Sequence, residues 1–466
     1  MNRVKNRSFS NHNRNRCMKI KINTAPFIRL LNHTNVLGVI LTVSMAMLLS
    51  ACATTGDQAR DTPFDALGKL VDQKLMNDQQ AFIKHLYDAR SWMPYKHLGQ
   101  DPIAFAERAE APINSAQTKI IGSSYQDSLR SLAAKLWMIE HAEHTLDLTY
   151  YIFTYDPTGN AILGALCNAV KRGVDIRIMV DSVGSMNPSH SPLRALETCA
   201  FDAGQIRDVH GLKTPYKARV QAVIINALTS ISSWSNRRSH DKLIIKDGSF
   251  PGKDMVMTGG RNISVDYYGI SKDGSRNPDT YLDLEILLRS SELTRDGSGK
   301  FTVGDVSSIY YTLLFLHKGN LRIEPIPDDQ DIDIFAPSDR YEGYRRKAQE
   351  ALEFIKNLPG MQEAYAEMPR YLSQGYNVSD VRLAHELGNL VSEDVVVSVE
   401  EIKSRNLNSI GAILANFFAE AGKKDKVQGH FRIVSPYLFI AQYKDKEGEL
   451  VHDGATAMLQ ALDEHP

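Results

Sequence analysis

The sequence is poor in cysteine, with four among its 466 residues. None of the four lies in a C-x-x-C pair or in a cysteine/histidine cluster with the spacing of a zinc site. These absences argue against a disulfide-stapled scaffold and against a structural metal, and no cofactor is expected. The 43% of hydrophobic and 23% of charged residues indicate a globular chain, long enough for about two domains or one large pseudo-symmetric unit.

An excess of positive charge is also missing once the N-terminus is set aside. Residues 1–35 hold eight Lys or Arg residues and no Asp or Glu. When residues 1–51 are left out, 46 of the 54 basic residues and all 55 acidic residues remain, which gives a net charge of −9. Such a chain lacks the basic field of proteins that hold nucleic acid by its phosphates, so no nucleic-acid partner is expected.

The first 51 residues are typical of a targeting segment. The basic stretch is followed by an apolar run over 36–49, which is shorter than the roughly 20 residues needed to span a bilayer. The run leads into Leu-Ser-Ala-Cys at 49–52, which resembles the lipobox of bacterial lipoproteins. The resemblance implies acylation of Cys52 and a membrane-attached protein on the periplasmic side, with Ala53 favouring the outer over the inner membrane. The alternatives are an uncleaved anchor and a coincidental cysteine.

Two strands joined by a helix follow a polar segment over 52–115. Apolar residues at helical spacing predict a helix over 125–140, and a β-rich run predicts a strand over 145–153. Asp156 then fits a helix N-cap, Pro157 the first helical position, and Gly173 the end of this helix. Because residues 174–180 predict another strand, the order strand, helix, strand indicates a parallel sheet and an α/β fold.

Later segments extend this unit. A hairpin over 242–258, a buried strand over 281–288 and a helix over 306–316 precede a charged, mainly helical stretch with a strand at 395–399. Residues 409–466 repeat the helix, strand, turn and helix order of 128–172, which indicates an internal duplication whose second copy stops early. The predicted organisation is a leader over 1–51, a helical segment over 52–115, a first half over 116–335, a helical bridge or insertion over 336–408 and the start of a second half over 409–466.

One short motif carries chemistry. His240, Lys242 and Asp247 form the pattern H-x-K-x4-D, and of the fourteen histidines only His240 begins one. Since His240 and Lys242 are two residues apart on a predicted strand, their side chains are expected to point to the same face.

A glycine pair follows the motif. Gly259 and Gly260, twelve and thirteen positions after Asp247, precede an arginine and Asn262. Backbone without side chains and an amide donor can approach an anion closely. A substrate phosphate is therefore expected to contact Lys242, both glycines and Asn262.

With these residues the chain resembles the phospholipase D superfamily, and its bacterial cardiolipin synthase branch in particular. The resemblance extends over about residues 120–320 and resumes at 409–466. It implies a mixed α/β sheet flanked by helices, with one complete half and the start of a second pseudo-symmetric half. The matching stretches are 143–153, 171–174 with Asp181, 236–242, 259–263 with 266–268, and 281–285.

The resemblance also implies a role for each site residue. His240 is the nucleophile that attacks a phosphodiester phosphorus, and Asp283 occupies the position of a carboxylate that holds the other ring nitrogen. Lys242 and Asn262 stabilise charge on the non-bridging oxygens without a metal. Asp247 is expected to orient the strand and Lys242 rather than to touch substrate.

The chain departs from the superfamily in one respect. Its members bring two H-x-K-x4-D motifs together, and the second histidine protonates the leaving alcohol. Here Tyr151 precedes His240 by 89 residues, whereas the equivalent Tyr437 is followed by only 29, and the second motif is missing. Either the chain is truncated or split, or two chains pair their single motifs; the partial second repeat favours truncation. A second chain, as a homodimer or as a separately encoded C-terminal half, is an expected partner.

Several other residues have a structural and a functional interpretation. His452 is expected in a turn before a helix, exposed rather than acting as the missing acid. Cys167 and Cys199 lie on apolar helix faces; they can pair in an oxidising compartment, but buried free thiols are the stronger expectation. The arginines at 237–238 contact anionic head groups or form a solvated pair. The tyrosines at 267–268 are expected to pack in the core rather than to line the substrate site.

The function expected from the resemblance is that of a membrane-attached phospholipase D-type phosphatidyltransferase or phosphodiesterase. It would act on glycerophospholipids of the membrane, as a cardiolipin synthase does, through a phosphohistidine intermediate. A one-motif homodimeric phosphodiesterase or nuclease is a second hypothesis, which the acidic charge disfavours. A third is an inactive, truncated lipoprotein. The acceptor (water, glycerol or another lipid) and the preferred head group stay open.

Overall fold

The computed structural model describes residues 78–94, 114–185, 189–225, 238–291, 301–317, 319–325 and 341–385, and the backbone of two short strands at 442–444 and 450–453. The predicted leader, the strand at 395–399 and the helices of the second repeat lie outside these residues. Among the helices described, none is both long and apolar enough to cross a bilayer.

Seven helices and thirteen strands make up most of the described residues. The helices are α1 (Gln79–Ala89), α2 (Tyr125–Glu140), α3 (Pro157–Arg172), α4 (Ser191–Thr198), α5 (Val303–Phe315), α6 (Glu342–Asn357) and α7 (Pro359–Tyr371). The strands are β1 (Asn114–Ile121), β2 (Thr145–Tyr150), β3 (Asp175–Asp181), β4 (Gln205–Arg207), β5 (Lys213–Lys217), β6 (Val220–Ile225), β7 (Lys242–Lys246), β8 (Met255–Gly259), β9 (Glu285–Ser290), β10 (Leu321–Ile323), β11 (Asn377–Val381), β12 (Gln442–Lys444) and β13 (Leu450–Asp453).

One nine-stranded mixed sheet, in the order β10-β6-β3-β2-β7-β8-β9-β1-β11, organises the fold. Strands β2, β3 and β6 are parallel, and the other neighbouring strands are antiparallel. β2, α3 and β3 form the predicted β-α-β unit, and β7 and β8 form the predicted hairpin. The prediction of an α/β fold with a mixed sheet flanked by helices is confirmed.

Capping residues in the local sequence set the ends of the helices on either side of β2. Ser124 caps α2 by accepting a hydrogen bond from the N–H of Asp127 at 3.1 Å. Asp156 caps α3, and Pro157 occupies the first turn, where the missing N–H costs nothing. Gly173 ends α3 with φ of 102°, a left-handed conformation that favours glycine. These boundaries confirm the predicted helices.

Helices cover both faces of the sheet. One core lies under α2, α3, α6 and α7 and includes Leu166 of α3, Leu352 of α6 and Met361 of α7. The other lies under α5 and includes Tyr311 and Phe315. Helices α6 and α7, from the stretch predicted as a bridge, thus share a core with α2 and α3, and β11 extends the same sheet.

A buried arginine–aspartate network fastens the segment after α1 to the sheet. Arg90, 3% exposed, donates hydrogen bonds of 2.9 Å to both Asp147 and Asp175. Arg177 donates two bonds of 2.8 Å to Asp147. Since Asp147 is the third residue of β2 and Asp175 the first of β3, the network lies toward the amino ends of the parallel strands.

Three local predictions are corrected by the structure. Cys167 and Cys199 are buried as expected, but they form a disulfide with Cα atoms 5.4 Å apart, because α4 packs on α3 and brings them within reach. The strand predicted over 281–288 begins only at Glu285, which is where pairing with Gly259 of β8 starts. His452 lies in β13, which pairs with β12, rather than in a turn.

Candidate functional site

The H-x-K segment lies beside the carboxyl end of β2. Lys242, the first residue of β7, pairs with Tyr150, the last residue of β2, and the N–H of Tyr151 donates to the carbonyl oxygen of Asp241 at 3.0 Å. His240 is therefore held at the edge of the sheet where the parallel strands end. Ligands of open α/β sheets bind outside this edge.

The His240 imidazole lies against an aromatic ring. Its centroid is 4.7 Å from that of Tyr151, with the rings inclined at 55°. Partial burial lowers the pKa of His240 below its usual value, the nearby Lys242 ammonium lowers it further, and Asp241 and Asp283 oppose the shift. The ring is therefore mostly unprotonated at neutral pH, the state in which a histidine can act as a nucleophile.

Lys242 places a buried cation beside His240. The side chain is 5% exposed, and its Nζ donates to the carbonyl oxygen of His240 at 2.7 Å and lies 5.5 Å from the Tyr151 ring centroid. Both members of the H-x-K pair thus lie beside the Tyr151 ring, although only Lys242 is in a strand, because β7 begins at Lys242 and His240 precedes it. Burial lowers the pKa of Lys242 to about 8, against the attraction of Asp241 and Asp283. The amine remains mostly protonated at neutral pH.

Asn262 presents an amide whose orientation is fixed. Its Oδ1 accepts from the N–H of Ile152 at 2.9 Å, and its Nδ2 donates to the hydroxyl oxygen of Tyr267 at 2.8 Å. A backbone N–H can only donate, so the oxygen and nitrogen of the amide cannot be exchanged without losing this bond. The bond also ties Asn262 to the segment that follows β2.

Asp283 lies close to these groups on the segment before β9. Burial raises its pKa, while Arg261, Lys242 and His240 lower it. Within the described residues no hydrogen bond joins Asp283 to His240, so its influence on the imidazole there is electrostatic.

The glycine pair has a role other than the expected one. A β-carbon at Gly260 would overlap the carboxylate of Asp283, and one at Gly259 would overlap the backbone of 284–285. The N–H of Gly260 donates to the carbonyl oxygen of Leu284 at 2.9 Å rather than pointing toward a free anion site. The glycines therefore let the Asp283 segment pack directly against the strand that leads to Asn262.

A buried ionic cluster that sequence reasoning missed supports the site. Glu285 accepts from Lys135 Nζ at 2.5 Å and lies 3.3 Å from Arg261, with all three side chains at most 1% exposed, and it also accepts from Ser131. Glu285 follows Asp283 by two residues, and Arg261 precedes Asn262. The cluster therefore fixes both segments against α2. The sequence did contain a sign of this cluster, because Lys135 lies on the apolar face of a predicted helix. A lysine is almost never fully buried without a partner, so this position indicates a buried acidic partner.

Asp247 is a structural residue at the far end of the strand. Its carboxylate is fully buried and accepts hydrogen bonds from the N–H groups of Glu143, His144 and Thr145 at 3.1, 2.8 and 2.9 Å. At about 3.3 Å per residue it lies well over 10 Å along the chain from Lys242. Asp247 therefore joins the end of β7 to the start of β2 and does not contact Lys242.

Arg238 is tied to the same edge of the sheet. Its guanidinium donates to Ser182 Oγ at 2.6 Å and lies 3.7 Å from the carboxylate of Asp181, the last residue of β3. This contact places a guanidinium near the carboxyl ends of the parallel strands, two residues before His240. Arg237 and the predicted acylation site Cys52 lie outside the described residues.

The two adjacent tyrosines differ in environment. Tyr268 is fully buried and donates to the carbonyl oxygen of Asn262 at 2.9 Å, so the expectation of core packing is confirmed for it. Tyr267 is only half-buried, and its hydroxyl contacts the Asn262 side chain. Tyr267 therefore belongs to the site.

A cavity of ≈ 850 Å³ is lined by residues that follow Ile152 and Asn262 in the chain, but His240, Lys242, Asn262 and Asp283 do not line it. It begins at Thr154 and Ser264, each two residues beyond the bonded pair Ile152 and Asn262. Its wall carries charges of both signs, from Asp156, Asp266, Lys272, Lys347 and Glu350.

Comparison with known proteins shows similarity to one family over part of the chain. Residues 136–273 match the family described as cardiolipin synthase, PLD-like domain. The chain is 33% identical over 150 residues to cardiolipin synthase C of Escherichia coli (strain K12), a match that covers 32% of this chain and 28% of that protein. It is 28% identical over 205 residues to a cardiolipin synthase of Alkalihalophilus pseudofirmus, covering 44% and 34%. The matched region thus spans about a third of the length of these relatives.

Two solved structures are also similar. Nuc from Salmonella typhimurium, a phospholipase D family member, is 16% identical with a TM-score of 0.28, over 45% of this chain and 99% of that chain. Phosphatidylserine synthase of Haemophilus influenzae Rd KW20 is 11% identical with a TM-score of 0.32, over 61% and 51%.

The matched family region contains His240, Lys242 and Asn262, the residues that the fold brings to one edge of the sheet. It also contains Tyr151 and Tyr267, which contact them. Residues 136–273 thus form a domain similar to the PLD-like domain of cardiolipin synthases.

Proposed function

We propose that this chain is a phosphatidyltransferase or phosphodiesterase that acts on glycerophospholipids through a phosphohistidine at His240. The observation that carries the proposal is the grouping at the carboxyl end of β2 of an unprotonated imidazole, the Lys242 ammonium and the fixed amide of Asn262. The similarity of residues 136–273 to cardiolipin synthases supports a phospholipid as the source of the phosphodiester.

The chemistry follows from these groups. The unprotonated nitrogen of His240 attacks the phosphorus in line, and a phosphorus–nitrogen bond forms as the bond to the leaving alcohol oxygen breaks. Lys242 and Asn262 donate to the non-bridging oxygens and stabilise their charge in the transition state. In a second step the hydroxyl oxygen of an acceptor attacks the phosphorus, its proton passes to the group that protonated the leaving alcohol, and the phosphorus–nitrogen bond breaks. His240 is released, and a new phosphodiester or, with water, a phosphomonoester forms.

The leaving alkoxide needs a proton, and we propose that a second chain supplies it. The printed sequence contains one H-x-K-x4-D motif. A second copy of this chain, or a separately encoded C-terminal half, would present a second histidine as general acid. General acid catalysis commonly contributes about 10²- to 10⁴-fold, so a single half-site is expected to turn over poorly by that factor.

We further propose that the protein is a lipoprotein anchored through Cys52 on the periplasmic side, at the outer rather than the inner membrane. The disulfide between Cys167 and Cys199 supports export, because disulfides persist in oxidising compartments and are rare in the cytosol. Mass analysis of the mature N-terminus tests this. Residues 1–51 still attached, or an unmodified Cys52, would contradict it.

The enzymatic proposal is tested with the exported full chain in detergent, added to phosphatidylglycerol vesicles in the presence of EDTA. Cardiolipin or phosphatidic acid is expected to form, and rapid quenching is expected to trap acid-labile phosphate on the His240 peptide. His240→Ala should abolish both. The matched control is His141→Ala, an exposed histidine stacked on Trp137 of α2, which should retain both. Phosphate on another residue, or undiminished label in His240→Ala, would overturn the proposal.

A further inference from the structure

The hydroxyl of Tyr267 lies at the site and is not used by the reaction described above. Tyr267 ends a short 3₁₀ turn, Val265–Tyr267, five residues after Asn262. Its oxygen accepts a hydrogen bond from Asn262 Nδ2 at 2.8 Å. Accepting this bond uses a lone pair and leaves the hydroxyl proton to be donated. The part of the chain that the structure describes offers that proton no acceptor.

Contacts on two sides hold this hydroxyl in place. Asn262 is fixed through its bond from Ile152, and the Tyr267 ring packs on Tyr281 with centroids 5.0 Å apart. Burial raises the pKa of Tyr267; the hydrogen bond from Asn262 opposes this shift, and the Asp283 carboxylate adds to it. The hydroxyl therefore stays protonated across neutral pH. It also lies near the same Asp283 that acts on His240 and Lys242.

We infer that Tyr267 is a further substrate-contacting residue, whose O–H donates to a phosphoryl oxygen of the phosphodiester bound at His240. The bond from Asn262 polarises the hydroxyl, because hydrogen bonds in a chain strengthen one another. This inference rests on the proposed function, since it places a phosphodiester beside His240. It adds a neutral donor to Lys242 and Asn262 and makes the Asn262–Tyr267 pair a single unit of the phosphate site.

The test measures binding of inorganic vanadate, a mimic of five-coordinate phosphorus, to the full chain in detergent by titration calorimetry. Tyr267→Phe removes only the hydroxyl and is expected to weaken binding by about tenfold or more, the usual size for a hydrogen bond to a charged group. The matched control is Tyr281→Phe, which keeps the ring packed on Tyr267, and its affinity should stay within about twofold of the unmutated chain.

A second comparison separates substrate contact from a structural role. If Tyr267 acted only by holding Asn262, the change Tyr267→Phe would have no effect in an Asn262→Ala background. If its hydroxyl contacts the anion, the loss of affinity persists there in part. A difluorotyrosine at position 267, which keeps the ring but ionises at lower pH, should lose affinity as pH rises, so the inference stays testable even where the Phe variant folds poorly.

The outcomes distinguish a failure of the Tyr267 inference from a failure of the proposed function. Vanadate binding that His240→Ala and Lys242→Ala weaken, but Tyr267→Phe does not, overturns this inference and leaves the proposed function standing. Absence of vanadate binding by the unmutated chain overturns both. Loss of affinity in Tyr267→Phe with none in Tyr281→Phe, persisting in the Asn262→Ala background, supports the inference.

Discussion

The disulfide between Cys167 and Cys199 gives a stability prediction whose size follows from its position in the chain. The two cysteines are 32 residues apart, and the chain-entropy relation for a closed loop of that length gives about 3.7 kcal/mol at 25 °C. Both side chains are nearly fully buried, so alanine, which adds no polar group, is the suitable replacement. We expect the double change Cys167→Ala and Cys199→Ala to lower the free energy of unfolding by about 3 to 4 kcal/mol.

Urea unfolding followed by circular dichroism measures this loss. With a slope of about 3 kcal/mol per M, the midpoint should fall by about 1 M, and the slope should rise because the uncrosslinked unfolded chain exposes more surface. Reduction of the unmutated protein should reproduce the shift. Reductant should leave the midpoint of the double variant unchanged, which controls for other effects of the reagent.

The thiols provide an independent check. In denatured but unreduced protein from an exporting cell, alkylation followed by peptide mapping should leave Cys167 and Cys199 unlabelled. Labelling of both residues, or a double variant whose midpoint matches that of the unmutated chain, would refute the reasoning. It would restore the expectation of buried free thiols and remove the structural support for export.

Three further changes have expected outcomes. Burial raises the pKa of Asp254 to about 6, above its value in the unfolded chain, so the stability that its carboxyl contributes is present at low pH and is lost as pH rises through 6. The change Asp254→Asn should therefore raise the free energy of unfolding at pH 7.5 by up to about 3 kcal/mol and should give no gain at pH 4. Calorimetry at the two pH values measures the difference. Asp247→Asn should cost at least about 2 kcal/mol in urea unfolding, because it weakens three backbone hydrogen bonds, yet the folded variant should bind vanadate normally. Since burial lowers the pKa of Lys242 to about 8, vanadate affinity should fall as pH rises through 8, and the fall should be smaller in Lys242→Ala, where only the ionisation of vanadate itself contributes.

Local sequence predicted the part of the fold that depends on neighbouring residues. The N-cap Asp156 with Pro157, the glycine that ends α3 and the alternation of β2 and β3 with α3 determine a β-α-β unit through short-range effects. β9 was predicted to begin four residues too early because the apolar sequence before it continues beyond its partner strand. Pairing with β8 stops at Gly259, and the segment 281–284 instead brings Asp283 to the site.

The H-x-K-x4-D pattern located His240 and Lys242, but their chemical states depend on tertiary contacts. The Tyr151 ring that lies against both residues comes from a segment 89 positions away. The Cys167–Cys199 bond and the buried Glu285 cluster likewise arise from packing between elements distant in sequence. Spacing alone also placed Asp247 in the same motif as Lys242, although the strand between them puts it at the opposite end from the chemistry.

The two ends of the parallel strands have different roles, and this bears on whether the anchor proposed at Cys52 is compatible with the position of the site. The Arg90 network fixes the segment after α1 toward the amino ends, whereas His240 lies at the carboxyl ends, about 10 Å along the strands from Asp147 and about 17 Å from Asp175. From Cys52 to Asp78 the chain has 26 residues, which extend to at most about 90 Å. The lipid proposed on Cys52 is therefore compatible with a substrate site at the carboxyl ends of the strands, because the tether exceeds the strand length several-fold.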